Sequence, residues 1–163
     1  MPKIQIETEI AAPIGVVFDL SRSIDLHKIS TEHTKEEAIA GRTSGLIELG
    51  ESVTWRARHL GFTQDLTSKI TDFEHPSFFA DEMVQGIFKS FRHEHHFKNQ
   101  EGVTVMADIF DYQSPLGILG RLADFLFLKK YLQKLLEKRN AVIKDFAESE
   151  KWKTAIYSLS DKE

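Results

Sequence analysis

The sequence contains no cysteine among its 163 residues. This absence excludes disulfide bonds, thiolate nucleophiles and metal sites built on cysteine. Long hydrophobic runs are also missing: the longest covers only residues 125–128, whereas a transmembrane helix needs about 20 residues. We therefore expect no stable membrane insertion.

Charge and short motifs give little support for export, nucleic acid or nucleotides. The N-terminal residues alternate between polar and apolar, unlike a signal peptide. The net charge is −4, and lysine and arginine are interleaved with acidic residues. The glycine-rich patterns G-x-x-x-x-G-K and G-x-G-x-x-G do not occur. We expect a cytoplasmic protein that binds no nucleic acid and uses no cofactor, while the sequence leaves its oligomeric state unknown.

Hydrophobic periodicity divides the chain into a strand, two short helices, a run of strands and one long helix. Residues 3–10 alternate as a half-buried strand does, and Pro13 suits the first turn of a helix. A second short helix is predicted over residues 24–29. Strands are then predicted over residues 35–40, 51–59, 62–73, 77–84, 88–98 and 103–112.

From residue 118 to about 148 the apolar period becomes helical. The apolar stripe consists of Leu122, Phe125, Leu128, Leu132, Leu135, Leu136, Val142, Ile143 and Phe146. An amphipathic helix cannot bury its stripe alone, so it must lie on the inner face of the sheet. We predict an α+β fold in which a curved antiparallel sheet of about seven strands wraps around this helix. The domain is assigned to residues 1–149, followed by a loosely ordered tail over 150–163.

Hairpin turns predict which side chains share the inner face, because opposed residues point the same way. A turn at Leu60 and Gly61 pairs His59 with Phe62 and Trp55 with Leu66. Val53, Trp55, Ala57, His59, Leu66 and Ile70 are then predicted to point inward.

A four-residue turn over 99–102 pairs the next two strands and places polar groups among aromatic ones. It sets His93 opposite Asp108, His95 opposite Met106 and Phe91 opposite Phe110. The inner wall is then formed by Phe91, Met106, Phe110 and Tyr112, with His93, His95 and Asp108 set into it. A buried His93–Asp108 pair is either a satisfied polar pair in the core or a device that orients a ligand.

The hairpin around residues 85–87 has two alternative registers. A three-residue turn puts Phe79, Asp81 and Met83 on the inner face, and a two-residue turn puts Phe78, Ala80 and Glu82 there. We favour the first, because it adds an aromatic ring, a methionine and a second acid to the same wall.

These assignments predict a ligand site on the inner face and at the start of the long helix. Its residues are Trp55, His59, Leu66, Phe79, Asp81, Met83, Phe91, His93, His95, Met106, Asp108, Phe110, Tyr112, Leu122 and Phe125. The apolar members would supply contact area, and His93, His95, Asp81 and Asp108 would orient a polar group.

No motif identifies a catalytic residue or a metal site. His93 with Asp81 or Asp108 is the candidate set for acid–base catalysis. The spacing H-x-H, with Asp108 or Asp81, is also that of a facial metal site. Strand alternation puts any H-x-H pair on one face, however, so we expect no metal ion.

Residues 117–128 are more apolar around the circumference of the helix than its second half is. Three interpretations apply: core beneath the end of the sheet, which the sequence favours, a lid at a pocket mouth, or a shallow membrane contact. Arg139 lies near the apolar stripe, either as a buried salt-bridge partner or extending to solvent.

Five segments carry a resemblance to the START-like, or helix-grip, superfamily, also called SRPBCC. They are GESVTWRARH (50–59), DEMVQGIF (81–88), FRHEHHF (91–97), DIFDY (108–112) and PLGILGRL (115–122). The sequence most resembles small bacterial ligand-binding members, often labelled cyclase/dehydrase or cell-division inhibitor. The likeness extends from Lys3 to about Glu148.

The resemblance implies a seven-stranded sheet gripping the long helix, with a deep apolar cavity between them, but no particular reaction. Three functions remain open: a carrier or sensor of a lipid or polyketide-like molecule, a cyclase or dehydrase using the same pocket, and a protein-interaction domain with no ligand. The expected partner is a hydrophobic small molecule.

Overall fold

A computed structural model describes residues 2–157. Strand β1 (Lys3–Ile10) is followed by helices α1 (Ile14–Ser21) and α2 (Ile24–Ser30) and a single 3₁₀ turn (Glu32–Thr34). The remaining strands are β2 (Glu37–Gly41), β3 (Ser52–His59), β4 (Phe62–Glu74), β5 (Phe78–Gln85), β6 (Ser90–Gln100) and β7 (Val103–Gln113). Helix α3 (Gly117–Ala123), a π-helical segment (Asp124–Leu128) and helix α4 (Lys129–Ala147) then follow without a break.

All seven strands form one antiparallel sheet in the order β1-β7-β6-β5-β4-β3-β2. The predicted α+β class is confirmed, with a long C-terminal helix against the inner face and two short helices after β1. No helix among residues 2–157 is long and apolar enough to span a membrane.

Local signals explain where the short helices begin. Pro13 precedes the first residue of α1 with φ −60°, which its ring favours. The side chain of Ser23 accepts a hydrogen bond from the backbone N–H of Leu26 and so caps α2. Val17, Phe18 and Leu20 of α1 are fully buried, so this helix closes one end of the sheet.

The β3–β4 hairpin confirms the predicted register, with His59 paired to Phe62 and Trp55 to Leu66. The β6–β7 hairpin corrects the other prediction by two residues. Its turn is Glu101 and Gly102 alone, with φ of 52° and 88°, the backbone of a tight two-residue turn.

The corrected register pairs His95 with Asp108 and His93 with Phe110, and it pairs Phe91 with Tyr112. The predicted inner face survives because a shift of two residues returns every side chain to the same side.

The β5–β6 connection, in contrast, is longer than predicted. Asp81 pairs with His93, and the last pair between β5 and β6 is Glu82 with Arg92. Here too the displacement from the favoured three-residue turn is two residues, so Phe79, Asp81 and Met83 share the face of His93.

The predicted loose tail is corrected over part of its length. Residues Lys151–Tyr157 form helix α5, and Trp152, Ala155 and Ile156 pack, partly buried, against the larger hydrophobic cluster. The rest of the predicted tail, 158–163, lies outside the described residues.

Candidate functional site

A cavity of about 420 Å³ lies between the inner face of the sheet and the long helix. Trp55, Ala57, Leu66, Phe91 and Phe110 line its sheet side. Leu128, Leu132, Leu135 and Leu136 line its helix side. The volume falls in the range of small-molecule sites, about 300–1,000 Å³.

One hydrogen bond links the sheet to the helix at the wall of the cavity. Nδ1 of His59, the last residue of β3, lies 2.8 Å from the hydroxyl oxygen of Tyr131 in α4. Burial lowers the pKa of His59, although Glu36 opposes this effect. Depending on its tautomer, the neutral imidazole that results donates a hydrogen bond to the Tyr131 hydroxyl or accepts one from it.

The inner end of the cavity is polar. Asp81, His93 and Arg139 reach its wall. A smaller pocket of about 120 Å³ is lined by these same residues and also by Phe79 and His95. The polar residues of β5, β6 and the helix therefore lie where the two spaces meet.

Asp108 is the centre of this polar cluster and has no exposed surface. Its Oδ1 lies 3.0 Å from Nε2 of His93 and 2.9 Å from Nδ1 of His95. Nη1 of Arg139 lies 3.6 Å from Oδ1, and Nδ2 of Asn140 donates to Oδ2 at 2.6 Å. The contact with His95 is short but is not directed as a hydrogen bond, so Nδ1 of His95 has no hydrogen-bond partner.

The contacts of Asp108 fix the charges in the cluster. Burial alone would raise the pKa of the Asp108 carboxyl, but its contacts with His93 and His95 keep that pKa well below its usual range. Burial lowers the pKa of His93, and the nearby His95 lowers it further. Near neutral pH, Asp108 is ionised and His93 is neutral.

Asp81 is the second carboxylate of the cluster. Burial would raise its pKa, but the hydrogen bond with His95 and the nearby His93 lower it instead. Its Oδ1 lies 3.4 Å from Nε2 of His95 and 4.0 Å from Nδ1 of His93. Each imidazole therefore lies between two carboxylates.

The structure brings together more than half of the residues predicted for the site. Those that line the main cavity are Trp55, His59, Leu66, Asp81, Phe91, His93 and Phe110, and Phe79 and His95 line the smaller pocket. Met83, Met106, Asp108 and Tyr112 line neither space. Met106, Asp108 and Tyr112 are fully buried behind the wall, and Met83 packs beside it in the smaller hydrophobic cluster.

The placement of Leu122 and Phe125 on the inward stripe is wrong. Leu122 is 52% exposed and Phe125 is 86% exposed. The π-helical segment adds one residue to a turn, and this rotates everything before it relative to α4. Leu119, Gly120 and Ala123 reach the cavity in their place.

Sequence reasoning missed one wall of the cavity. His27, Thr31, Thr34 and Glu36, from α2 and the segment after it, line that wall. The ring of His27 lies on Trp55 with centroids 4.2 Å apart, and Nε2 of His27 lies 3.3 Å from Oε1 of Glu36. These residues are not periodic in the sequence, so no pattern marked them.

Structures of known proteins share this architecture at low sequence identity. No protein-family model matches the sequence, and no curated protein matches it. The crystal structure of TTHA0849 from Thermus thermophilus has 18% identity and a TM-score of 0.68, and the match covers 87% of this chain and 97% of that one. Major latex-like protein 151 from Panax ginseng has 16% identity and a TM-score of 0.66, with 91% and 98% covered.

A third similar structure has two domains. The di-domain ARO/CYC protein StfQ from the steffimycin biosynthetic pathway has 12% identity and a TM-score of 0.73, and the match covers 90% of this chain and 50% of that one. Likenesses at these identities show the fold alone. The chain has the helix-grip fold.

Proposed function

We propose that this protein binds an apolar small molecule, lipid or polyketide-like, in the cavity between sheet and helix, as a carrier or sensor in the cytoplasm. The observation that carries the proposal is a cavity of about 420 Å³ with apolar walls and a polar inner end. Buried space of this kind costs packing energy when it is left empty, and it suits a ligand with an apolar body and one polar group.

Native mass spectrometry of the purified protein, followed by organic extraction, tests this proposal. We expect a stoichiometric apolar adduct. Phe91→Asp places a charge in the wall and should abolish the adduct. A bare protein that also takes up nothing from a lipid extract would contradict a carrier and favour the alternative of an interaction domain without a ligand.

The polar cluster favours a second candidate function, a cyclase or dehydrase using the same cavity. His93 lines the cavity and is neutral, so its imidazole can act as a general base on a substrate bound there. StfQ, whose name includes ARO/CYC, has the same fold. If the extracted compound binds to His93→Ala but is chemically altered only by the unsubstituted protein, the protein is an enzyme.

A further inference from the structure

His95 lies between two carboxylates, and a neutral imidazole has only one N–H to offer them. Its Nδ1 is 2.9 Å from Oδ1 of Asp108, and its Nε2 is 3.4 Å from Oδ1 of Asp81. Whichever nitrogen carries the proton, the lone pair of the other faces a carboxylate oxygen. Such a contact is unfavourable in a buried site, and a cation bound between the imidazole and the carboxylate would remove it.

Nδ1 of His93 also presents a lone pair to a carboxylate. Its Nε2 donates to the ionised Asp108, so Nδ1 of the neutral ring carries a lone pair. This lone pair lies 4.0 Å from Oδ1 of Asp81, and no side chain among residues 2–157 donates a hydrogen bond to it. Three atoms of metal-ligating type lie together beside the cavity: Nδ1 of His93, Nε2 of His95 and Oδ1 of Asp81.

We propose that Asp81, His93 and His95 bind a divalent transition-metal ion, Fe²⁺ or Zn²⁺, through these three atoms. One ligand atom of each residue lies within 4.8 Å of the others. A metal bound at about 2.0–2.2 Å holds neighbouring ligands roughly 3–3.5 Å apart, so only His93 must move appreciably. Two imidazoles and one carboxylate suit these ions and leave coordination positions open.

Asp108 lies behind both imidazole ligands and is hydrogen-bonded to that of His93. It contacts Nε2 of His93 and Nδ1 of His95, the two nitrogens that the metal does not use. Asn140 holds the second oxygen of the same carboxylate at 2.6 Å. Carboxylates in this position fix ring orientation and raise the basicity of histidine ligands in metalloproteins.

The charge of the cluster favours a cation over an anion. Two carboxylates, Asp81 and Asp108, lie in the cluster with one guanidinium, that of Arg139, whose Nη1 is 3.6 Å from Oδ1 of Asp108. A divalent ion reverses the sign, and an anionic or polar group of the cavity ligand can then complete the coordination. Coordination by the cavity ligand rests on the proposed function, whereas metal binding by the three side chains does not.

Titration of the chelator-treated protein with Co²⁺ and Zn²⁺ tests the site. We expect one ion per chain, a visible Co²⁺ spectrum, and an affinity loss of about 10- to 100-fold or more in Asp81→Asn and His95→Gln. His96→Gln is the matched control, because His96 is on the outer side of the same strand, 3.1 Å from Glu94. It should bind like the unsubstituted chain.

A measurement on the unsubstituted protein keeps the test valid if the variants do not fold. Nitrogen-15 spectra of the imidazole rings should show Zn²⁺ shifting Nδ1 of His93 and Nε2 of His95. If no ion binds, or if binding shifts other nitrogens, the metal site is refuted. Failure of the lipid-extract experiment would leave this result unaffected.

A separate observation concerns the opening of the cavity, where large apolar side chains are exposed. Leu116, Ile118, Leu119, Leu122, Phe125, Leu126 and Phe127 are 48–86% exposed on one helical segment. Leu60 and Phe62 of the β3–β4 hairpin and Ile87 of the β5–β6 connection are also exposed. We call these ten exposed residues the apolar rim. Five of them also line the cavity: Leu60, Ile87, Leu116, Leu119 and Phe127.

Cations accompany the apolar rim. Five exposed cations lie next to rim residues in the sequence or close to them: Arg58, Lys89, Arg121, Lys129 and Lys130. None of the five forms an ion pair within the described part of the chain. The one acid of the helical segment, Asp124, accepts hydrogen bonds from Tyr112 and Ser114 instead. The rim is thus basic, although the whole chain carries a net charge of −4.

We infer that the apolar rim docks on an anionic lipid bilayer. Leucine and phenylalanine side chains insert below the headgroups, and the flanking cations contact the lipid phosphates. A second copy of this chain is a poor partner for the apolar rim, because pairing two rims would bring the five cations of one copy against the five cations of the other. Docking also places the cavity opening at the bilayer, where an apolar ligand resides.

Vesicle sedimentation tests this second proposal. We expect binding to phosphatidylcholine vesicles that contain phosphatidylglycerol, weakened by salt, and little binding to phosphatidylcholine alone. Phe125→Asp should reduce the bound fraction about tenfold. Leu49→Asp, a leucine 58% exposed outside the rim, should change nothing. Equal binding by Phe125→Asp, or a dimer in solution that Phe125→Asp dissociates, would refute bilayer docking.

Discussion

Nε2 of His93 lies 3.0 Å from Oδ1 of Asp108, although the two residues are not paired across the sheet. Asp108 is paired with His95, whose Nδ1 approaches the same oxygen at 2.9 Å. One carboxylate therefore serves two imidazoles of one strand face, and with Arg139 and Asn140 from the helix it joins the sheet to the helix through buried polar groups.

Asp108→Asn should destabilise the fold strongly. The substitution leaves the buried guanidinium of Arg139 beside a neutral amide, and breaking one side of a buried ion pair costs about 3–5 kcal/mol. Urea unfolding measures the loss. Asp111→Asn is the control on the same strand: its carboxylate is partly exposed, 3.6 Å from Nζ of Lys3, and should contribute about 0–1 kcal/mol. Equal midpoints for the two variants would contradict a structural role for the Asp108 contacts.

The inner faces of β5, β6 and β7 were predictable because alternation is robust to register errors. The predicted β6–β7 register was wrong by two residues, yet His93, His95 and Asp108 were assigned to the correct face. The turn itself was missed because Asn99, Gln100, Glu101 and Gly102 are all polar or small residues of the kind that turns accept. Only the backbone shows that Glu101 and Gly102 carry the positive φ angles.

The start of the long helix was not predictable in the same way. A helical pattern fixes the face of each residue only while the turn size is constant, and nothing in residues 124–128 marks a π-helical turn. Leu122 and Phe125 were therefore assigned to the wrong face. Glu36 was missed for a different reason: its burial follows from the path of the chain after α2, which periodicity does not describe.

Gly102→Ala should destabilise the β6–β7 hairpin. Gly102 has φ 88°, where a Cβ is strained although nothing lies within 4 Å of it. A left-handed conformation costs a non-glycine residue roughly 1–2 kcal/mol. Gly15→Ala is the opposite case, because Gly15 lies in α1 and has free space for a Cβ. This substitution should stabilise the folded protein by about 0.5–1 kcal/mol. Thermal unfolding of both variants measures these effects, and a shift of the same sign in both would contradict the backbone argument.

Ala57→Phe should fill the cavity with little effect on the rest of the fold. Ala57 is buried on the inner face of β3 and lines the cavity, so a phenylalanine there extends into open space. We expect loss of the copurified ligand with an unfolding temperature equal to or above that of the unsubstituted apo protein. Ala141→Phe on the exposed side of α4 controls for added hydrophobicity and should retain the ligand. Retention by Ala57→Phe would place the ligand elsewhere.

Glu36 should make stability depend on pH in the acid range. Burial would raise the pKa of its carboxyl, but His27, His59 and Thr31 outweigh burial and hold the pKa below the ordinary 4.5. A depressed carboxyl pKa stabilises the folded state fully above pH 4.5, and the contribution disappears as pH falls through the folded pKa. Between these two values the unfolded chain binds more protons, so stability must rise with pH there.

Glu36→Gln therefore should remove part of the acid dependence. Urea midpoints measured from about pH 3 to 6 should rise less steeply with pH in Glu36→Gln than in the unsubstituted chain. Glu37→Gln is the matched control, because Glu37 is the next residue, is exposed at the edge of the sheet, and should leave the slope unchanged. Slopes that agree among all three proteins would mean that the Glu36 carboxylate gains nothing from His27. In that case its 3.3 Å contact with Nε2 of His27 only fills the cavity wall.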